Sequence, residues 1–186
     1  MMGAWNMAED LESLRIHLGL EKLLAVLGHS NGGAMALAYA EKYPLRLDRL
    51  ILVDHQLIGN KTCDADPDLM EELKDDPRYK EAYDFMRKER DLSSGEAMLQ
   101  RLKNIGPLYF YDPKRYVHWF HEAPGNESIS VWCYEHQDKC ETRLRDPPIL
   151  IDRMPEVEAK TLVIVGMHAL STVNVHEYHC MIRMRC

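Results

Sequence analysis

No apolar run in this 186-residue chain approaches the ~20 residues that a membrane-spanning helix needs, so a membrane span is not expected. The opening stretch MMGAWNMAEDLESLRIHLGL has no basic segment followed by an apolar one, so a secretory signal is not expected there. Cysteine pairs are missing as well. The five cysteines (Cys63, Cys133, Cys140, Cys180, Cys186) are odd in number and scattered, so free thiols in a reducing cytoplasm are expected rather than a disulfide framework. The sequons at Asn60 and Asn126 are then expected to stay unmodified. Positive charge is in deficit: 23 Lys and Arg against 30 Asp and Glu give a net charge of -7. That balance argues against nucleic acid or an anionic membrane as a partner. Internal repeats are absent.

What is present is enough apolar sequence for one core at this length. Met7, Leu11, Leu14 and Leu18 recur at helical spacing, predicting an amphipathic helix over about Ala8–His17 that stops at Gly19. The run Leu23–Leu27 is short, continuous and followed by glycine, as in a strand buried on both faces. GHSNGG and an alanine-rich helix, Ala34–Tyr43, follow, and Pro44 ends the helix. Leu50–Val53 reads as a second buried strand ending at Asp54, which makes a right-handed parallel crossover.

From Asp64 to about Lys103 the chain is charged and helical in pattern. Aromatics then crowd Gly106–Trp132, in numbers that suit packing between helices, although aromatics also line pockets. Thr161–Val165 before Gly166 is a third buried strand, and no periodicity survives beyond it. Cys133, His136 and Cys140 have zinc-like spacing but no second ligand pair follows, so no metal and no cofactor are implied.

G-x-S-x-G at Gly28, Ser30 and Gly32 carries the chemistry. Composition alone produces such a pattern in roughly one chain of this size in twenty. Its context adds the specificity: a buried strand enters it and a small-residue helix leaves it, as a nucleophile elbow requires. A sharp strained turn would project the Ser30 hydroxyl from the strand end. Gly28 and Gly32 would be small because strand and helix approach closely. The backbone N–H of Asn31, at the helix N-terminus, would face a developing oxyanion. A glycine-rich strand–helix turn in some other α/β protein is the alternative reading.

DLESLRIHLGLEKLLAVLGHSNGGAMALAYAEKYPLRLDRLILVD resembles the middle of the α/β-hydrolase superfamily, and proline iminopeptidase-like members are the nearest match among them. DDPRYKEAYDF and GPLYFYDP resemble the helical cap of that group, and EVEAKTLVIVG resembles the strand that carries its catalytic acid. The resemblance runs over about residues 8 to 168. It implies an α/β fold, an incomplete α/β-hydrolase parallel sheet with a helical cap insertion. Residues 1–60 and 149–168 would be the partial core, 61–148 the cap, and 169–186 an atypical, disordered tail. It further implies a serine hydrolase cleaving an ester or amide bond of a small-molecule or peptide substrate, with an aminopeptidase favoured. Ser30 would be the nucleophile and Asn31 the backbone oxyanion donor.

Three departures stand against that implication. Iminopeptidases commonly carry Trp after the nucleophile, where this chain has Asn31. The family's acid follows the third strand in a pattern like G-x-H-D, but here Gly166, Met167 and His168 lead to Ala169. The chain runs only 17 residues further, too few for the unit that bears the family's histidine. Asp54, at a strand end from which some α/β-hydrolases draw their acid, is a substitute acid on paper. His55, His176 and His179 are bases only in being imidazoles. Without acid and base a serine hydroxyl is a poor nucleophile, so inactivity is expected of this chain as it stands. The rival is a non-catalytic pseudo-hydrolase or a truncated, non-functional fragment, with an apolar sheet edge left open.

Overall fold

Three short apolar segments pair side by side in one sheet, and the helix between the first two covers one of its faces. The computed structural model describes residues 2–56, 58, 67–123, 128–142 and 150–165. The chain divides into two units, Met1–Asp64 with His136–Cys186, and Ala65–Glu135.

The first unit opens with α1 (Ala4–His17), followed by β1 (Val26–His29), α2 (Asn31–Lys42) and β2 (Arg49–Val53). The sheet is parallel, in the order β1-β2-β3, where β3 is Lys160–Ile164. Leu27 pairs with Ile51 and Ile51 with Leu162, so one residue from each strand lines up across the sheet. Leu50 and Leu52 are fully buried beneath α2. The opposite face carries Leu27, Leu162 and Ile164, and these are exposed. Each strand is thus covered on one side, where the continuous apolar runs predict cover on both. Residues from Leu23 to Ala25 do not join β1. Leu23 forms only an isolated parallel bridge to Leu47, and a bend follows it.

Helix α2 is apolar almost all round, and Ala34, Ala36, Leu37, Ala38, Tyr39 and Ala40 are buried. Its small side chains let it lie between the sheet and α1. The buried face of α1 is Ala4, Ala8 and Arg15, while Leu14 and Leu18 are exposed. Leu11 is partly buried against the core, so the apolar periodicity marks the inward side only in the first half of this helix. The reason is Arg15, which reaches Glu12 through Nε (2.8 Å) and Nη2 (2.6 Å), while the Tyr39 hydroxyl donates to the same carboxylate (2.9 Å). The bond from Arg15 holds the Glu12 carboxyl below its ordinary range. A Schellman motif ends α1: Gly19 adopts φ +66°, its N–H donates to Ile16 O, and Leu20 N–H donates to Arg15 O.

The second unit is helical: α3 (Pro67–Asp75), α4 (Lys80–Met86), α5 (Gly95–Ile105), α6 (Pro113–Glu122) and part of α7, which spans Val131–Thr142. Ser94 caps α5 by accepting from Ala97 N–H, and Asp112 caps α6 ahead of Pro113. Phe120 packs against Tyr109 and Phe110, and it closes over Gly106. Part of the aromatic cluster thus packs α6 on the turn before it, whereas Tyr109, Tyr111, Trp119 and Trp132 are exposed.

Candidate active site

Strand β1 ends at His29, and Ser30 follows with φ +51° and ψ −123°, a strained conformation for a residue bearing a side chain. Three backbone bonds hold it there. Ser30 N–H donates to Val53 O (3.1 Å), and Ser30 O accepts from Gly33 N–H (3.0 Å) and Gln56 N–H (2.9 Å). The elbow is therefore clamped by its own helix and by the turn after β2. Asp54 makes that turn with φ +38°, and its N–H donates to Ile164 O (2.8 Å), tying the end of β2 to β3.

The glycines separate by role. A Cβ on Gly28 would lie 2.3 Å from Gly32 O, and one on Gly33 would lie 2.1 Å from His55 Cβ. At Gly32 a Cβ would meet nothing within 4 Å. Close approach of strand and helix therefore explains Gly28 as expected, but not the side-chain position of Gly32. Gly33, outside the motif, is the tighter position.

Ser30 is exposed, and among the described residues no hydrogen bond joins its hydroxyl to a base. Asn31 begins α2, and its Nδ2 donates to Gln56 Oε1 (3.1 Å). Asp54 is partly buried at the end of β2. His55, next to it, is fully buried, and burial lowers its pKa to about 4 against the opposing pull of Asp54. It is neutral at pH 7 and packs under Gly33. The positions Gly166 to Ala169, and with them His176 and His179, lie outside the described residues, as do Asn60, Cys63, Asn126, Cys180 and Cys186. Cys133 and His136 sit on α7, and the side chain of Cys140 is outside the described set. Among the described residues no group of three His, Cys, Asp or Glu side chains could hold a metal ion, and no helix is long and apolar enough to cross a membrane. Gln56 is the participant that sequence reasoning missed. A lone glutamine two residues past a strand carries no pattern, and only the pairing of β1 with β2 brings it to Ser30.

A parallel sheet, a strained serine between strand and helix, and glycines at the crossing define a hydrolase-type α/β fold. The family pattern described as alpha/beta hydrolase fold matches residues 2–168, and the chain belongs to that family. Over 46 residues it is 50% identical to human 1-acylglycerol-3-phosphate O-acyltransferase ABHD5, covering 25% of this chain and 13% of that protein. Over 49 residues it is 48% identical to abhydrolase domain-containing protein abhd-5.2 of Caenorhabditis elegans, covering 26% of this chain and 11% of that one. Among solved structures, it is similar to a thermophilic esterase from Thermogutta terrifontis (TM-score 0.60, 25% identity), covering 98% of this chain and 61% of the esterase. It is also similar to an esterase from Exiguobacterium antarcticum (TM-score 0.60, 20% identity), covering 98% of this chain and 63% of that one. The chain thus spans less than two thirds of the length of each relative.

Proposed function

We propose that this chain carries the nucleophile portion of a serine hydrolase acting on an ester or amide bond. The observation that supports it is the backbone of Ser30, held in a strained conformation by three hydrogen bonds at a strand–helix turn. In this reading the Ser30 hydroxyl attacks an acyl carbonyl, and the Asn31 N–H donates to the oxygen that becomes negative. Asp54 is the substitute acid, and the helical unit corresponds to the cap insertion. Esters are favoured as substrates over aminopeptidase substrates. The resemblances to two esterases support that choice, and so does Asn31 in the place where iminopeptidases commonly carry Trp.

Turnover needs a base within reach of Ser30. The described residues offer His55, which is buried under Gly33. The 186-residue chain is therefore expected not to react with a fluorophosphonate probe above a Ser30→Ala control. Stoichiometric labelling at Ser30 would overturn this expectation and make Asp54→Asn the next variant to assay. Given labelling, hydrolysis of p-nitrophenyl butyrate but not of proline p-nitroanilide would favour the ester reading, and the reverse would favour the aminopeptidase. Ligand binding without any labelling is the outcome for a non-catalytic relative.

A further inference from the structure

We infer that Gln56 is a positioning residue that sets the direction of the oxyanion-donating N–H of Asn31; the inference rests on the proposed hydrolase reading of Ser30. The geometry begins with one peptide group. The Ser30 carbonyl and the Asn31 N–H belong to the same planar unit, and no peptide bond in the described chain is cis. In a trans peptide these two groups point in opposite directions. Whatever fixes the Ser30 oxygen therefore aims the Asn31 hydrogen.

Two donors fix that oxygen. Gly33 N–H (3.0 Å) comes from the first turn of α2, the helix that Ser30 itself precedes. Gln56 N–H (2.9 Å) comes from a different element, the turn after β2. The Gln56 side chain then accepts from Asn31 Nδ2 (3.1 Å), so one residue grips both sides of the Ser30–Asn31 linkage. The turn is built to bring it there. Asp54 takes a positive φ, His55 buries its side chain against Gly33, and Gln56 is left facing the elbow. The Ser30 N–H bond to Val53 completes the clamp from the strand itself. A hydrogen bond between exposed side chains is weak alone. Here it adds to a backbone bond made by the same residue, so little further entropy is lost in forming it.

The test uses the 186-residue chain labelled with nitrogen-15 and does not depend on Ser30 being reactive. Gln56→Met keeps the length of the side chain and removes the acceptor, while Gln56→Glu retains an acceptor. In the unaltered chain the Asn31 side-chain amide protons should exchange slowly. In Gln56→Met they should exchange roughly fivefold to tenfold faster, and the Asn31 backbone N–H resonance should move. Gln56→Glu should restore both, and the restored signals should titrate as the new carboxylate is protonated. Asn31 backbone and side-chain signals that are the same in Gln56→Met as in the unaltered chain would overturn the inference. So would Ser30 and Gly33 amides that exchange at unfolded-chain rates in the unaltered chain, because the elbow would then not be held. These signals are read without any reaction at Ser30, so they test the hold of Gln56 on the elbow separately from the hydrolase reading, which the labelling and substrate assays test.

Discussion

A carboxyl group withdrawn from water keeps its proton unless a cation or several donors replace the lost hydration. Glu41, near the end of α2, is fully buried, and neither of its oxygens has a hydrogen-bond partner. Burial raises its pKa from 4.5 to about 8. The Arg153 charge pulls it down by less, and Glu156 adds to the rise. In the unfolded chain the same group ionises near 4.5, so between about pH 4.5 and 8 the folded state binds more protons. Stability contributed at this site is full below pH 4.5, falls as pH rises to about 8, and then levels off. Glu41→Gln should remove that decline and raise stability by about 2–4 kcal/mol at pH 9, with little change at pH 5. Urea denaturation of both proteins at pH 5, 7 and 9 checks this. Equal declines in the two would show that Glu41 reaches a partner or water in solution.

Helix α2 is seated by its glycines, and the sequence motif misassigns which of them matters. Gly33 lies against His55 and has no room for a methyl group, whereas Gly32 faces open space. Gly33→Ala should therefore destabilise the protein by about 2–3 kcal/mol through overpacking. Gly32→Ala should be neutral or stabilise by up to about 1 kcal/mol, because alanine suits a helix better than glycine. Denaturation midpoints of the two variants measure the contrast, and equal losses would mean that α2 does not sit on the turn after β2. The helix was legible from its alanines only as far back as Ala34, and the reading of Ser30 as a nucleophile elbow set Asn31 at its N-terminus. The Gly32-Gly33 pair weighs against a helix by intrinsic preference, and close packing on His55 overrides that preference, so α2 begins at Asn31.

At the scale of the whole molecule, the sheet faces two different environments. One face lies beneath α2, and the other presents the row Leu27, Ile51 and Leu162, with Leu27 63% and Leu162 54% exposed. Parallel sheets are ordinarily covered on both faces, so this row is an unusually apolar surface. The chain should bind the dye ANS, and the double variant Leu27→Thr, Leu162→Thr should lose roughly half of that signal or more. Because both side chains are more than half exposed, the melting temperature should move by no more than ~2 °C. Unchanged dye binding would place the apolar surface elsewhere, with the exposed Leu14, Ile16 and Leu18 the next candidates.

The three strands, the alanine-rich helix and Ser30 at their junction are all legible in the amino-acid sequence, because short-range pattern determines them. An apolar run reads as a strand, alanines read as a helix, and glycine on either side of serine reads as a sharp turn. Tertiary structure decided what long-range contact determines. Arg15 took the inward side of α1 because Glu12 and Tyr39 met it there. Gln56 became part of the elbow because parallel pairing of β1 with β2 set Val53 beside His29, and the turn that follows reaches back to Ser30. No local pattern encodes the meeting of Tyr39 with Glu12 or of Gln56 with Ser30, since these partners are 27 and 26 apart in the chain and adjacent only once the tertiary structure has formed.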